Sequence, residues 1–196
     1  MDKSPPQDTG KKKKLFEAAA RLFAEKGFEK TTVDEIAEAA AVAKGTVYYY
    51  FKGKEDIFLF LIDEAMAILK QRLNRALAGI EEETPAILEK LVQVHLAFFT
   101  DYWDVCRVIL AEAWGSLDRQ QRLQELLTEY YALIGGYFLR GMEEGAIRRQ
   151  DPEVLAAAFF GMTAVTALHF LGKPTPVDWN DIENRLCALF FGGAKP

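Results

Sequence analysis

The stretch TTVDEIAEAAAVAKGTVYYYFKGK, residues 31–54, decides the fold. Thr32 and Glu35 stand at the Ser/Thr-x-x-Glu spacing of a capping box, which predicts a helix starting at Val33. Val33, Ile36, Ala37 and Ala40 give that helix one apolar face. A short break follows at Ala41 to Ala43, then a second short helix from Lys44 to Tyr50. Two helices joined by so tight a turn form a helix-turn-helix, whose second helix enters the DNA major groove. Three adjacent tyrosines on a seven-residue helix cannot all be buried, and Val47 and Phe51, four apart, are the inward pair. That leaves Lys44, Gly45, Thr46, Tyr48, Tyr49, Tyr50 and Lys54 as the DNA-facing set, flanked by Lys52. Thr32 joins them as a donor to a phosphate at a helix N-terminus.

The net charge of −5 argues at first sight against a polyanionic partner, but it is unevenly spread. Residues 1–54 hold 11 Lys/Arg against 8 Asp/Glu, net +3, while residues 55–196 hold 13 against 21, net −8. A small basic head on an acidic body is expected when only one end meets nucleic acid. The two cysteines, Cys106 and Cys187, fit a reducing cytosol rather than a disulfide framework, and no spacing suggests a metal or a cofactor. The N-terminal MDKSPPQDTGKKKK has no apolar core, so it does not read as a signal peptide, and the expected location is cytoplasmic. Val154 to Gly172 lacks a formal charge and has nearly the ~20 residues of a spanning helix. Its Thr163, Thr166, His169 and three alanines make it a poor one, and a helix buried on nearly all sides is expected instead, with no membrane partner.

Along the chain, residues 1–10 read as a disordered tail, 11–54 as the DNA-binding domain and 55–196 as a separate acidic helical body. The run Lys11 to Lys14 is either a solvated helix start or a basic arm against phosphates. Helix one follows to about Lys26 and ends on Gly27. Helix four runs from Lys54 to about Leu77 and must connect head to body. After a break at Gly79 to Glu83, helices five to nine are expected over about 84–101, 104–114 and 118–144, then from Asp151-Pro152 to Leu171, and after Asp178. No period-2 strand is visible, so the fold class is all-α with about nine helices.

The pattern over roughly residues 15 to 60 resembles the DNA-binding domain of the TetR family of bacterial transcriptional regulators. The family's paired helix-one aromatics, GF-x-x-T-T link and YYxFxxKExL segment read here as Phe16 and Phe23, Gly27-Phe28 with Thr31-Thr32, and Tyr49-Tyr50-Phe51 with Lys54-Glu55. This covers about a quarter of the chain. Two positions depart from it. Ala41 stands where the family usually has a turn Gly, and Ala43 where it usually has a capping Ser, at a cost of roughly 1 kcal/mol each. The resemblance implies a homodimer on a near-palindromic operator in double-stranded DNA, with an effector bound between helices four to eight.

The body carries a heavy aromatic load. Phe98, Phe99, Tyr102, Trp103, Trp114, Tyr130, Tyr137 and Phe159, with Met162 and His169, are the candidate effector-pocket residues. Any one of them reads more readily as core filling, and His95 and His169 read more readily as core histidines than as ligands. The aromatic lining suggests a small lipophilic effector, and the acidic body weakly favours a cation. Small residues on helix eight and the apolar stripe of helix nine mark a dimer seam of Ala157, Gly161, Ala164, Ile182, Leu186, Leu189 and Phe190. An all-helical enzyme or lipid carrier is the competing reading. No catalytic residue can be named: there are two His, no Ser or Cys placed suggestively near them, and no Gly-rich phosphate loop. A non-specific architectural DNA protein is disfavoured by the acidic body.

Overall fold

The computed structural model describes residues 6–78 and 84–194, and the expected break at 79–83 lies outside them. Among the described residues there are nine α-helices and no strand: α1 Pro6–Lys26, α2 Val33–Ala39, α3 Lys44–Tyr50, α4 Lys54–Leu77, α5 Thr84–Asp101, α6 Trp103–Glu112, α7 Leu117–Glu143, α8 Pro152–Leu171 and α9 Trp179–Ala194. A single 3-10 turn, Ala113–Gly115, joins α6 to α7. One expectation fails at the start: the tail was to be disordered through residue 10, but the helix already begins at Pro6. Proline needs no hydrogen bond in the first turn of a helix, so Pro6 can open α1 rather than block it.

Helix boundaries follow local chemistry. The Thr32–Glu35 capping box is complete, with the Thr32 hydroxyl accepting from the Glu35 N–H and the Glu35 carboxylate accepting from the Thr32 N–H. Asp151 caps α8 by accepting from the backbone of Glu153 and Val154, ahead of Pro152. Asp178 does the same for Asn180 and Asp181 at α9. Gly27 and Gly145 end α1 and α7 with φ of +82° and +74°, the left-handed region that favours glycine.

The chain forms two compact units. The first comprises residues up to Ala65 together with Asp104–Leu123. Chain order assigns 104–123 to the body, but by contact they group with the head. The core of this unit includes Leu15, Phe23, Phe28, Ile36, Val47 and Phe58. Phe28 meets Phe58 edge-on at 5.5 Å and Phe23 at 5.2 Å. The second unit comprises Met66–Trp103 and the chain from Gln124 onward, with α5 packed on α8 and α9. Helices α4 and α7 each contribute residues to both units.

Candidate nucleic-acid interface and effector core

The reading helix is α3, seven residues long. Val47 is fully buried and Phe51 nearly so, which turns Tyr48 and Tyr49 outward at 54% and 81% exposure. Tyr49 stacks edge-on against half-buried Tyr50 at 5.2 Å, and the Lys12 ammonium lies 6.0 Å from the Tyr50 ring. The basic run of α1 therefore has one member beside the reading helix. Gly45 is exposed and Thr46 half-buried. The turn keeps both departures noted above: Ala41 sits at φ +52°, and Ala43 caps α3 without a side-chain hydrogen bond.

Lys44, Lys54 and Thr32, among the expected DNA-facing residues, are engaged by other groups of the first unit. The Lys44 ammonium donates to Asp34 at 2.6 Å. Both groups are well exposed, so a phosphate can displace this pair at little cost. Lys54, expected as an open phosphate contact, is half-buried. Its ammonium donates to the Glu29 carbonyl at 2.9 Å and lies 4.5 Å from the Phe28 ring centroid. Thr32 is committed to the cap: its hydroxyl donates to the Glu35 carboxylate at 3.0 Å. The Lys26 ammonium and then the Thr32 donors hold Glu35 down at about 2, so that carboxylate stays charged and the cap stays formed. The buried hydroxyl of Thr31 in the α1–α2 link donates to the carbonyls of Gly27 and Leu22 and pins α1 to α2.

The second unit holds the aromatic load. His95 is fully buried, with Phe99, Phe159 and Phe160 at centroid distances of 4.9–6.2 Å. His95 Nδ1 is 2.8 Å from the Thr163 hydroxyl, and Nε2 is bonded to the Tyr130 hydroxyl. Thr163 also donates to the carbonyls of Phe159 and Phe160. With its one hydrogen directed there, Thr163 must accept from His95 Nδ1–H, which leaves Nε2 to accept from Tyr130. Burial pushes His95 down to about 3, so this chain of bonds carries a neutral imidazole.

Of the ten expected pocket residues, Phe98, Phe99, Tyr130 and Phe159 are buried in ring-to-ring packing. Tyr102, Trp103, Tyr137 and Met162 are half-buried, and Tyr102 stacks on Phe98 with the Arg72 guanidinium 4.9 Å from its ring. Trp114 and His169 stand apart. Trp114 is 72% exposed in the first unit, because the 3-10 turn that replaces the end of the expected sixth helix turns it outward. His169 lies on the exposed side of α8. A groove of about 580 Å³ does occur in this unit, between the end of α8 and α9, with an apolar floor that includes Phe170, Ile182 and Leu186 and a charged rim of Lys173, Asp178, Asp181 and Arg185. None of the ten lines it.

The dimer-seam residues also divide. Ala164, Ile182 and Leu186 are buried within the subunit. Phe190 packs on Phe138 and Phe159. Ala157 is half-buried, and only Gly161 and Leu189 face open space: Leu189 is 71% exposed, and a Cβ on Gly161 would touch nothing within 4 Å. Helix α8 was expected to be covered on nearly all sides. Within one subunit its most apolar window is 33% buried, and Val154, Ala158, Gly161 and Val165 form a stripe on its open side. An evenly apolar helix gives no phase from sequence, so which residues turn inward had to come from packing.

An exposed aromatic reading helix at the end of a net-basic stretch, residues 1–54, joined to an aromatic-rich helical body, defines a helix-turn-helix DNA-binding regulator. Residues 15–60 match the family model of bacterial regulatory proteins of the tetR family, and residues 82–168 match a tetracyclin repressor-like C-terminal domain. A Clostridium perfringens protein, proposed as a fatty acid metabolism regulator, is 31% identical with a TM-score of 0.82, covering 93% of this chain and 99% of that one. The chain belongs to the TetR family of transcriptional regulators. It is also similar to the fatty acid metabolism regulator protein of Bacillus subtilis, 29% identical over 184 residues, covering 91% of this chain and 93% of that one. The solved structure of the regulator FadR from Bacillus subtilis in complex with stearoyl-CoA shares the fold, with TM-score 0.80 and 23% identity over 92% of this chain and 98% of that one.

Proposed function

We propose that this regulator is a cytoplasmic homodimeric repressor that leaves a near-palindromic operator when a long-chain acyl-CoA binds its second unit. The observation that carries the reading is the α3 surface: Tyr48 and Tyr49 are exposed on a seven-residue helix, with Thr46 and Gly45 beside them. The relatives named as fatty acid metabolism regulators, together with the structural neighbour FadR in complex with stearoyl-CoA, support the effector class. The aromatic and aliphatic side chains of the second unit agree with an acyl chain. The weak sequence preference for a cation does not, because coenzyme A is an anion. Arg72, half-buried against Tyr102, is a cation within the aromatic part of this unit, and its ion pair with Asp101 at 2.7 Å would have to be exchanged for the ligand's phosphates. The dimer would close the open stripe of α8 with Leu189 of α9, and two-fold symmetry in the protein would be mirrored in the DNA.

The two reading heads of such a dimer must sit about one helical turn of DNA apart, roughly 34 Å, or a multiple of it. A ligand that favours a different spacing weakens operator binding by its differential affinity for the two states. The test is to select bound sequences from random DNA, then titrate the complex with stearoyl-CoA, free stearate and free coenzyme A. Stearoyl-CoA should release the DNA and the two fragments should do so poorly. If acyl-CoAs of every chain length leave the complex intact, the effector class is wrong.

A further inference from the structure

The most heavily engaged side chain of the first unit is Arg119, in the first turn of α7, which is only 5% exposed. Its guanidinium grips the Glu55 carboxylate with two parallel bonds, Nε to Oε1 at 2.6 Å and Nη2 to Oε2 at 2.7 Å. Nη1 donates to the Glu112 carbonyl at 3.1 Å, where α6 ends. The same plane lies 3.8 Å from the Phe28 ring centroid and 4.6 Å from that of Phe58. Ser116 adds a bond to Glu55 at 3.2 Å. Every partner is in the unit that carries α3.

These partners are not arbitrary. Glu55 and Phe58 belong to the first turns of α4, and Phe28 to the α1–α2 link that sets the entry to the helix-turn-helix. Phe28 also carries the Lys54 ammonium, and Lys54 is bonded to the adjacent Glu29 carbonyl. One side chain from α7 thus holds two separate parts of the reading head. A bidentate, stacked arginine fixes distance and orientation together, which a point charge cannot do. We propose that Arg119 is a positioning residue for operator binding: it fastens the start of α7 to the helix-turn-helix and sets specific DNA affinity without touching DNA. The proposal rests on the operator binding described above and adds the residue that holds the head for it.

The variants are Arg119→Met, which keeps an unbranched stem between the two rings, Arg119→Lys, and Glu55→Gln. Binding is measured to the palindrome selected by wild-type protein and to random DNA, across a salt series. Arg119→Met should weaken binding to the selected site by about tenfold or more and leave binding to random DNA unchanged. The slope of log affinity against log salt should stay as in wild type, because no phosphate contact is lost. Arg119→Lys should recover only part of the loss. Glu55→Gln should show the same change in smaller measure, and it carries the test if Arg119→Met does not fold. A merely structural pair would lower the unfolding temperature and leave the affinity of the folded protein at wild-type level, and that result overturns the proposal. So does a salt slope that falls by about 0.9 per head, which marks a direct phosphate contact. Wild-type protein that selects no sequence takes the operator reading down as well, whereas a wild-type operator complex matched by both substitutions refutes this inference alone.

Discussion

Ala41 holds a backbone angle, φ +52°, that an L side chain adopts only at a cost, and nothing in the turn removes that cost. Ala41→Gly should therefore stabilise the protein by about 1 kcal/mol. Ala43 has extended geometry, φ −58° and ψ 134°, and supplies no acceptor to the first N–H groups of α3. Ala43→Ser should add about 1 kcal/mol by capping them. Both are read as a rise in thermal midpoint, and a fall in either would mean that the turn geometry is different. His95 gives a second residue-scale expectation. Its folded value of about 3 lies below its ordinary 6.5, so the unfolded chain takes up a proton first as pH falls. This contribution is fully present above pH 6.5 and is lost progressively down to about 3, at up to about 1.4 kcal/mol per pH unit. Tyr130→Phe removes the donor to Nε2 and should cost about 1–3 kcal/mol in urea unfolding. An unchanged midpoint would mean that a water or another donor replaces the hydroxyl.

Helix α8 shows how one element serves two purposes. Leu155, Phe159, Thr163 and Ala167, at four-residue steps, are buried, while Val154, Ala158, Gly161 and Val165 run along the open side. Among the described residues it is the one helix long and apolar enough to cross a membrane, yet its buried face carries Thr163 into the His95 chain of hydrogen bonds. Val165 is 66% exposed and Gly161 has room for a side chain within its own subunit. Val165→Glu or Gly161→Arg should therefore fold normally by circular dichroism and yet give monomers by light scattering, since each buries an uncompensated charge in an apolar seam. A variant that folds and remains dimeric moves the seam off α8. The small-residue pattern was visible in the sequence. Its phase was not, because every side of this helix is apolar.

At the scale of the whole molecule, α4 and α7 each run through both compact units, so the effector binding proposed for the second unit has a continuous covalent path to the reading head. Linkage then requires reciprocity. If stearoyl-CoA weakens operator binding tenfold, saturating operator DNA must weaken stearoyl-CoA binding tenfold, a coupling of about 1.4 kcal/mol. The check is stearoyl-CoA affinity with and without the selected DNA. Equal affinities would mean that the ligand and the DNA are not coupled. The uneven charge, net +3 over residues 1–54 and −8 over the rest, further predicts operator affinity that falls steeply with salt, through the head alone.

The sequence by itself determined what depends on neighbours along the chain. The capping box at Thr32 and Glu35, the inward Val47 and Phe51 and the caps at Asp151 and Asp178 are all legible, because each involves residues two to four apart, whereas the positive φ of Ala41 is implied only by the family resemblance. The family resemblance over residues 15–60 rests on the same local signals. The tertiary structure decided what depends on distant partners. Arg119 reads in the sequence as one more surface charge, and its partners Glu55 and Phe28 lie 64 and 91 positions away. Lys54 reads as a free phosphate contact, but the Glu29 carbonyl that engages it is 25 residues distant. His95, Tyr130 and Thr163 come from three helices and become one satisfied chain only on packing. Burial penalises an unpaired polar group whatever its sequence separation, so these pairings are set by three-dimensional proximity, which local pattern does not encode.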